Sequence, residues 1–225
     1  MRVRWFGQSA FLLSGEQTVL IDPFGDMSGL AASRGLTFDY PPIVDVSADL
    51  VLVTHEHGDH NGVGAVAGSP TVLRSTAGKL ESPVGEVVAV ASEHDDVAGT
   101  ARGPNTIFCF TLGGIRVCHL GDFGQPALRP EQRAAIGEVD LLFVPVGGFA
   151  TVGGSAAAEL VRTIEPRLVV PMHYRTPSVS FLEPPDEFLD ALGAPVQRLE
   201  ESEAEVDGLL GTRGEPAVVL FAPPG

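Results

Sequence analysis

Along the first fifty residues, apolar positions come in short runs cut by polar turns. Val3 to Phe6, Ala10 to Leu13 and Thr18 to Asp22 are separated by Gly7-Gln8-Ser9 and Ser14-Gly15-Glu16-Gln17, which predicts three short strands. Asp22-Pro23 ends the third, because proline has no N–H to give a central ladder. Residues 25 to 48 lose this periodicity, interrupted by Gly25, Gly29, Gly35, Pro41 and Pro42. A stretch so long is a functional loop, carries a short helix, or is a plain surface insertion.

Leu50 to Thr54 has the continuous apolar character of a buried strand. A short helix is predicted near Gly62 to Ala67, and strands at Val72 to Arg74 and Val87 to Ala91. Ile107 to Leu112 and Ile115 to Leu120 flank Gly113-Gly114, a two-residue hairpin signal. That register sets Cys109 opposite Cys118 in a non-hydrogen-bonded pair, where side chains approach closely. A strained cross-strand disulfide fits this pairing; reduced, buried thiols are the expectation for a cytosolic chain.

After residue 130 helical periods join the strands. Helices are predicted at Pro130 to Ile136, at Ser155 to Ile164 with Ser155 as N-cap, and at Pro184 to Leu192. Strands are predicted at Leu141 to Val146, at Leu168 to Val170 closed by Pro171, and at Val196 to Leu199 and Ala217 to Phe221. The order is β first, then α and β alternating, with no repeat and no linker. We read residues 1–225 as one α/β domain.

Composition narrows the partners. With 44% hydrophobic and 19% charged residues the chain is globular rather than disordered. Its net charge is −15, from 14 basic against 29 acidic residues, so nucleic acid is an unlikely main partner. Neither cysteine lies in a CxxC pair, no apolar run reaches membrane-spanning length, and Met1 to Phe6 has no secretory h-region. The expected compartment is the cytoplasm, with no membrane partner. Mean hydropathy of +0.20 makes a homo-oligomer plausible.

All six histidines fall in short polar motifs at strand ends, and three share one hexapeptide, His55-Glu56-His57-Gly58-Asp59-His60. The strand at Leu50 to Thr54 leads straight into it. Residues i and i+2 diverge on a helix but can converge on a tight loop. Imidazole nitrogen and carboxylate oxygen are zinc donors, and four in six residues exceed what one ion takes from a local segment. Two metal ions are therefore expected. Zinc comes first on donor type, and manganese or iron suit the same donors.

His55-x-His57-x-Asp59-His60 after an apolar strand resembles the signature of the metallo-β-lactamase superfamily of hydrolases. Asp22 in Leu20-Ile21-Asp22-Pro23, Ser92-Glu93-His94-Asp95, His119-Leu120-Gly121-Asp122 and Pro171-Met172-His173-Tyr174 resemble its further motifs. The match runs from Trp5-Phe6-Gly7 to about Tyr174 and is nearest the small, ascorbate-6-phosphate lactonase-like branch. The resemblance implies a four-layer αββα sandwich of two mixed sheets with helices outside. It implies that His55, His57 and His94 hold one metal, that Asp59, His60 and His173 hold a second, and that Asp122 bridges them. Asp22 would orient a histidine from behind. His119 competes with His94 as a ligand, a supporting or core role being the commoner one at a hairpin position. Tyr174 and Arg175 either touch substrate or simply pack.

Two departures bear on chemistry. Gln8 stands where relatives often carry histidine, so it can bind substrate or hydrogen-bond but cannot titrate. Asp95-Asp96 would disfavour an anionic substrate if they face the pocket. Conversely, Gly147-Gly148 and Gly153-Gly154 lead into a helix N-terminus that can accept an anion. The implied reaction is hydrolysis of a small-molecule ester, lactone or phosphodiester by a metal-bridging hydroxide, with Asp59 orienting it or taking its proton. His57, where flavodiiron relatives carry glutamate, argues against redox chemistry. The alternatives are a non-catalytic metal-binding or regulatory protein and an RNA-processing nuclease. The 25–48 loop and the 175–184 segment are expected to flank the substrate.

Overall fold

Leu50–Val53 illustrates how the apolar runs are used. All four residues are buried, Leu50 and Leu52 in a large core and Val51 and Val53 in a separate, smaller cluster. A strand projects alternate side chains to opposite faces, so a run that is apolar throughout needs cover on both. Neighbouring strands divide alike: Phe11, Leu13, Val19 and Ile21 join the large core, Ala10 and Leu20 the small one.

The structure, a computed structural model, describes residues 1–225. Arg2–Gly7 (β1), Ala10–Ser14 (β2), Thr18–Ile21 (β3), Leu50–Val53 (β5), Thr71–Arg74 (β7) and Glu203–Glu205 (β15) form one sheet, ordered β15-β1-β2-β3-β5-β7. Val46–Ser47 (β4) and Val66–Ala67 (β6) pair as a short parallel ribbon. Gly78–Ser82 (β8), Gly85–Glu93 (β9), Pro104–Leu112 (β10), Ile115–His119 (β11), Leu141–Pro145 (β12), Leu168–Met172 (β13), Val196–Arg198 (β14) and Ala217–Leu220 (β16) form the other, ordered β14-β16-β13-β12-β11-β10-β9-β8. Both sheets mix parallel and antiparallel pairs. Their inner faces share the large core.

Pro130–Ile136 (α2), Gly154–Ile164 (α3) and Asp186–Leu192 (α4) send Ile136, Leu160, Val161, Ile164 and Phe188 into that same core and cover the second sheet. The outer face of the first sheet is covered differently. Ser28–Ser33 (α1) supplies only Ala31, and the rest comes from Phe24, Phe38, Tyr40 and Ile43, with Val179 and Leu182. The layering is αββα, with one outer layer built mostly from irregular chain. The aperiodic 25–48 stretch is thus a structural cover as well as a loop.

Some predicted elements shift. Gly62 to Ala67 is a 3₁₀ turn over Val63–Ala65 followed by β6, because each lone turn is too short to propagate a helix. Ser155 is not an N-cap: Gly153 is, and Ser155 sits in the first turn of α3. Pro171 lies within β13 rather than closing it, tolerated because β16 pairs only with Leu168 and Val169. The hairpin register is as predicted, with Cys109 opposite Cys118, and both thiols are buried and free.

Candidate metal centre

In each sheet the strands that carry chemistry run in one sense. β1, β3 and β5 are mutually parallel in direction, as are β9, β11, β12 and β13. Their C-terminal ends therefore collect at one edge, the usual place for a site in an α/β sheet. Gln8 follows β1, Asp22 follows β3, Thr54 and His55 follow β5, His94 follows β9, and His173 follows β13. Gln8, Asp22 and His173 have φ of 51°, 46° and 52°, in the left-handed region, which turns the chain sharply as the strand stops.

The rings are held from behind. His60 Nδ1 donates to Asp22 Oδ2 at 3.0 Å, and His94 Nδ1 donates to the Ala150 carbonyl at 2.9 Å. Thr54 Oγ1 donates to Asp22 Oδ2 at 2.8 Å, which leaves its lone pairs to accept from His55 Nδ1 at 3.0 Å. With Nδ1 bonded behind in all three rings, each Nε2 is turned away from its support and is the atom free to bind a proton or a cation.

Those Nε2 atoms converge. Asp122 Oδ2 lies 3.9 Å from His55 Nε2, 3.3 Å from His60 Nε2, 3.3 Å from His94 Nε2 and 3.2 Å from His173 Nε2. His55 Nε2, His60 Nε2 and His173 Nδ1 are buried without a hydrogen-bond partner. Four ring Nε2 atoms gathered at one buried carboxylate, two of them without a hydrogen-bond partner, fit a shared proton or a cation. The donor atoms of His55, His57 and His94 lie within 4.8 Å of one another, as do those of Asp59, His60 and His173, and those of His55, His60 and Asp122.

Burial, reinforced by the charge of His60, pushes the pKa of His55 down to about 2, and burial also lowers that of His94. At His60 burial opposes the charged form, but Asp122, Asp59 and Asp22 outweigh it and raise the pKa well above the ordinary value. Burial would raise Asp122, yet His173 and His60 hold it well below the usual carboxylate range. The cluster therefore stores proton or cation affinity in a dry setting.

His119 lies outside these groups. Its Nε2 donates to the Ser9 carbonyl at 3.0 Å and its Nδ1 accepts from Gly121 N–H at 3.1 Å, so both ring nitrogens are satisfied. Burial lowers its pKa. The ring ties the Ser9 turn to the Gly121-Asp122 turn, and Ser9 Oγ reaches Asp122 Oδ1 at 3.4 Å. Asn105 completes the tie: its Nδ2 donates to the Leu120 carbonyl and its Oδ1 accepts from Asp122 N–H. Gly121, at φ 58°, has no room for a Cβ, which would overlap Asn105 Oδ1. Thr54, Ser9 and Asn105 escaped the sequence reading because nothing in their local pattern distinguishes them from ordinary strand-end polar residues.

A cavity of about 620 Å³ opens onto His57, Asp59, His94, Asp122 and His173. Its lining also includes Leu30, Arg34 and Phe38 from the 25–48 stretch, with Arg102, Phe149 and Phe181 from other loops. Three expected substrate contacts lie elsewhere. Gln8 is fully buried and donates to Asp59 Oδ2 at 3.2 Å. Tyr174 is buried with its ring 5.5 Å from that of Trp5. Arg175 spends its guanidinium on the Leu182 carbonyl and Glu183.

Two electrostatic expectations also change. Asp95 turns away from the cavity and accepts N–H groups of Val97, Gly99, Ala101 and Arg102 at 2.7–3.0 Å, and Asp96 is no part of the lining. The glycine-rich lead into α3 is not an open anion site, since Glu187 Oε1 already accepts from the N–H and hydroxyl of Ser155. Gly147 has a packing reason instead: a Cβ there would strike the His173 carbonyl.

Residues 2–173 match the family model described as the beta-lactamase superfamily domain. The chain is 31% identical to a UPF0173 metal-dependent hydrolase of Thermococcus kodakarensis, over 86% of this chain and 92% of that one. It is 32% identical to the corresponding protein of Pyrococcus furiosus, over the same shares. A crystal structure from Thermotoga maritima, of a protein described as a candidate Zn-dependent hydrolase of the metallo-β-lactamase superfamily, superposes with a TM-score of 0.75 at 31% identity, covering 98% of this chain and 97% of that one. A histidine- and aspartate-lined edge between two mixed sheets, with these relatives, makes the chain a member of the metallo-β-lactamase superfamily, among its UPF0173 metal-dependent hydrolases.

Proposed function

We propose that this chain hydrolyses a small-molecule ester, lactone or phosphodiester using two divalent cations. One observation carries the reading: Asp122 Oδ2 stands 3.2–3.9 Å from the Nε2 atoms of four buried histidines drawn from two triads. His55, His57 and His94 would hold one ion, Asp59, His60 and His173 the other, and Asp122 would lie between them. Zinc suits these donors first, with manganese and iron next. Bound there, the cations acidify water and polarise a carbonyl or phosphoryl oxygen.

The chain's own residues do the remaining work. Asp22 and Thr54 fix the tautomers and tilt of His60 and His55. Asp59 and Asp122 both belong to the cluster and line the cavity, but Asp59 is the more open of the two, its side chain 21% exposed against 3%, so it orients attacking water or takes its proton. Gln8 Nε2 holds that carboxylate in place. A cavity of about 620 Å³ is of small-ligand size. The acidic balance disfavours a nucleic-acid substrate, and no helix is long and apolar enough to cross a membrane.

The test is metal content per chain by mass spectrometry on untagged protein purified without chelator, paired with turnover on lactones, thioesters and phosphodiesters. The expected result is about two ions per chain and a turnover that His55→Ala abolishes while the fold persists. A chain that holds no metal after reconstitution, or a His55→Ala variant with full turnover, refutes the reading.

A further inference from the structure

The cavity above the cluster has two walls of different chemistry. Its lining includes Arg34 and Arg102, both exposed, together with Met27, Leu30, Phe149 and Phe181. Its only acidic lining residues are Asp59 and Asp122, both at the floor with the histidines. The chain has 29 acidic residues against 14 basic ones, so a rim with two arginines and no carboxylate reverses the bulk balance. Seven of the thirteen arginines form ion pairs: Arg2, Arg74, Arg129, Arg162, Arg167, Arg175 and Arg213. Arg34 and Arg102 are among the six that form none, with Arg4, Arg116, Arg133 and Arg198, and of all thirteen only these two line the cavity.

Arg102 is also pre-set. Its Nη2 donates to the Phe149 carbonyl at 3.3 Å, and its Cζ lies 5.3 Å from the centre of the Phe149 ring. Phe149 is 65% exposed, and its backbone is held at φ 59°, a costly conformation for a bulky residue. Its ring meets that of Phe181 at 5.6 Å. Leu30, which lines the same cavity, is 47% exposed. Packing within the chain does not account for two large apolar side chains left in water at the lip of one cavity.

We propose that this cavity selects an amphipathic anion, with an apolar tail held between Leu30, Met27, Phe149 and Phe181 and a carboxylate or phosphate head met by Arg34 and Arg102. The inference refines the hydrolase reading above and rests on it for the location of the scissile bond. A planar guanidinium suits either head through paired N–H donors, and a stacked one is partly pre-organised. Asp95, the nearby carboxylate that would repel such a head, is turned into its own loop.

The test is isothermal titration calorimetry of the metal-loaded full chain with octanoate, octyl phosphate, octanol and acetate, repeated after chelation. Octanoate or octyl phosphate is expected to bind at least about tenfold tighter than octanol, which lacks the charge, and than acetate, which lacks the tail. The tighter of the two anions identifies the head. Arg34→Ala and Arg102→Ala together are expected to bring the anions down to the octanol level with metal content per chain unchanged, and Phe149→Ala to weaken the long anions but not acetate. Both arginines are exposed, so the fold is not at stake. Octanoate and octyl phosphate binding the arginine variants as tightly as wild type, or losing all affinity on chelation alone, overturns the proposal. Absence of metal and turnover is read on the same samples and would instead overturn the hydrolase reading, since the arginine dependence remains measurable in the chelated chain.

Discussion

Thr54→Val tests whether a single hydroxyl joins the aspartate behind the cluster to the histidine in front of it. Thr54 Oγ1 donates to Asp22 Oδ2 at 2.8 Å and accepts from His55 Nδ1 at 3.0 Å, with all three side chains buried. Valine keeps the shape and the backbone N–H bond to Asp22 Oδ1 but removes both side-chain bonds. A hydrogen bond to a charged acceptor is worth about 1.5–3 kcal/mol, and a buried donor left unpaired, here His55 Nδ1–H, costs about 1–3 kcal/mol. Asp22 Oδ2 retains His60 as a donor, so part of the first term survives. The expected loss is about 3 kcal/mol, or a fall in Tm of roughly 6–12 °C for a chain of this length. Metal affinity should fall about 10–100-fold, the usual effect of losing the support behind a ligand. Urea unfolding of the metal-free protein reads the first quantity, and competition against a chromophoric chelator reads the second. Thr54→Ser should restore metal affinity. A valine variant that unfolds less than about 1 kcal/mol earlier, or competes for metal as wild type does, would show that His55 needs no such link.

Gly121→Ala should destabilise by about 2–4 kcal/mol in the same urea assay, combining a left-handed φ of 58° with a Cβ 2.8 Å from Thr54 Cβ; a loss under about 1 kcal/mol would mean the turn relaxes freely. Glu56, bonded to Arg74, Asn61 and Ser75, has its pKa lowered to about 2, with Arg74 the main cause. A depressed carboxylate contributes stability above its unfolded value near 4.5 and loses it as pH falls through about 2. Because the pair is about half exposed the contribution is small. Glu56→Gln should therefore lower the urea midpoint slightly at pH 7 and not at pH 2, and an equal effect at both would remove Glu56 from the acid response.

Much of the fold is legible because strands leave local traces. The hairpin at Gly113-Gly114 and the register pairing Cys109 with Cys118 follow from two residues of turn chemistry and a period of two. β8 and β15 leave none: Lys79, Glu81, Glu203 and Glu205 are exposed, and these strands exist only because β9 and β1 offer open edges. β4 and β6, two residues each, are likewise products of pairing.

The histidine motif was determined by the sequence itself, since His55 to His60 are covalent neighbours at the end of an apolar strand. That carries donor type, approximate metal chemistry and family. Only the tertiary structure decided which distant residues meet them. Asp22, His94, Asp122 and His173 arrive from separate strand ends, and whether each side chain points inward depends on backbone turns such as the positive φ of Asp22 and His173. The same holds for the contacts that the residue types alone misplace. Tyr174 and Arg175 are close in sequence to His173 yet face other partners, Gln8 is buried behind Asp59 rather than open to the cavity, and Asp95 folds back on its own loop. Arg34, Arg102 and Phe149 share no motif and become neighbours of the site only through the loops that carry them. Local periodicity and covalent adjacency act over a few residues, whereas a site assembled across two sheets is set by packing, which no short stretch of chain encodes.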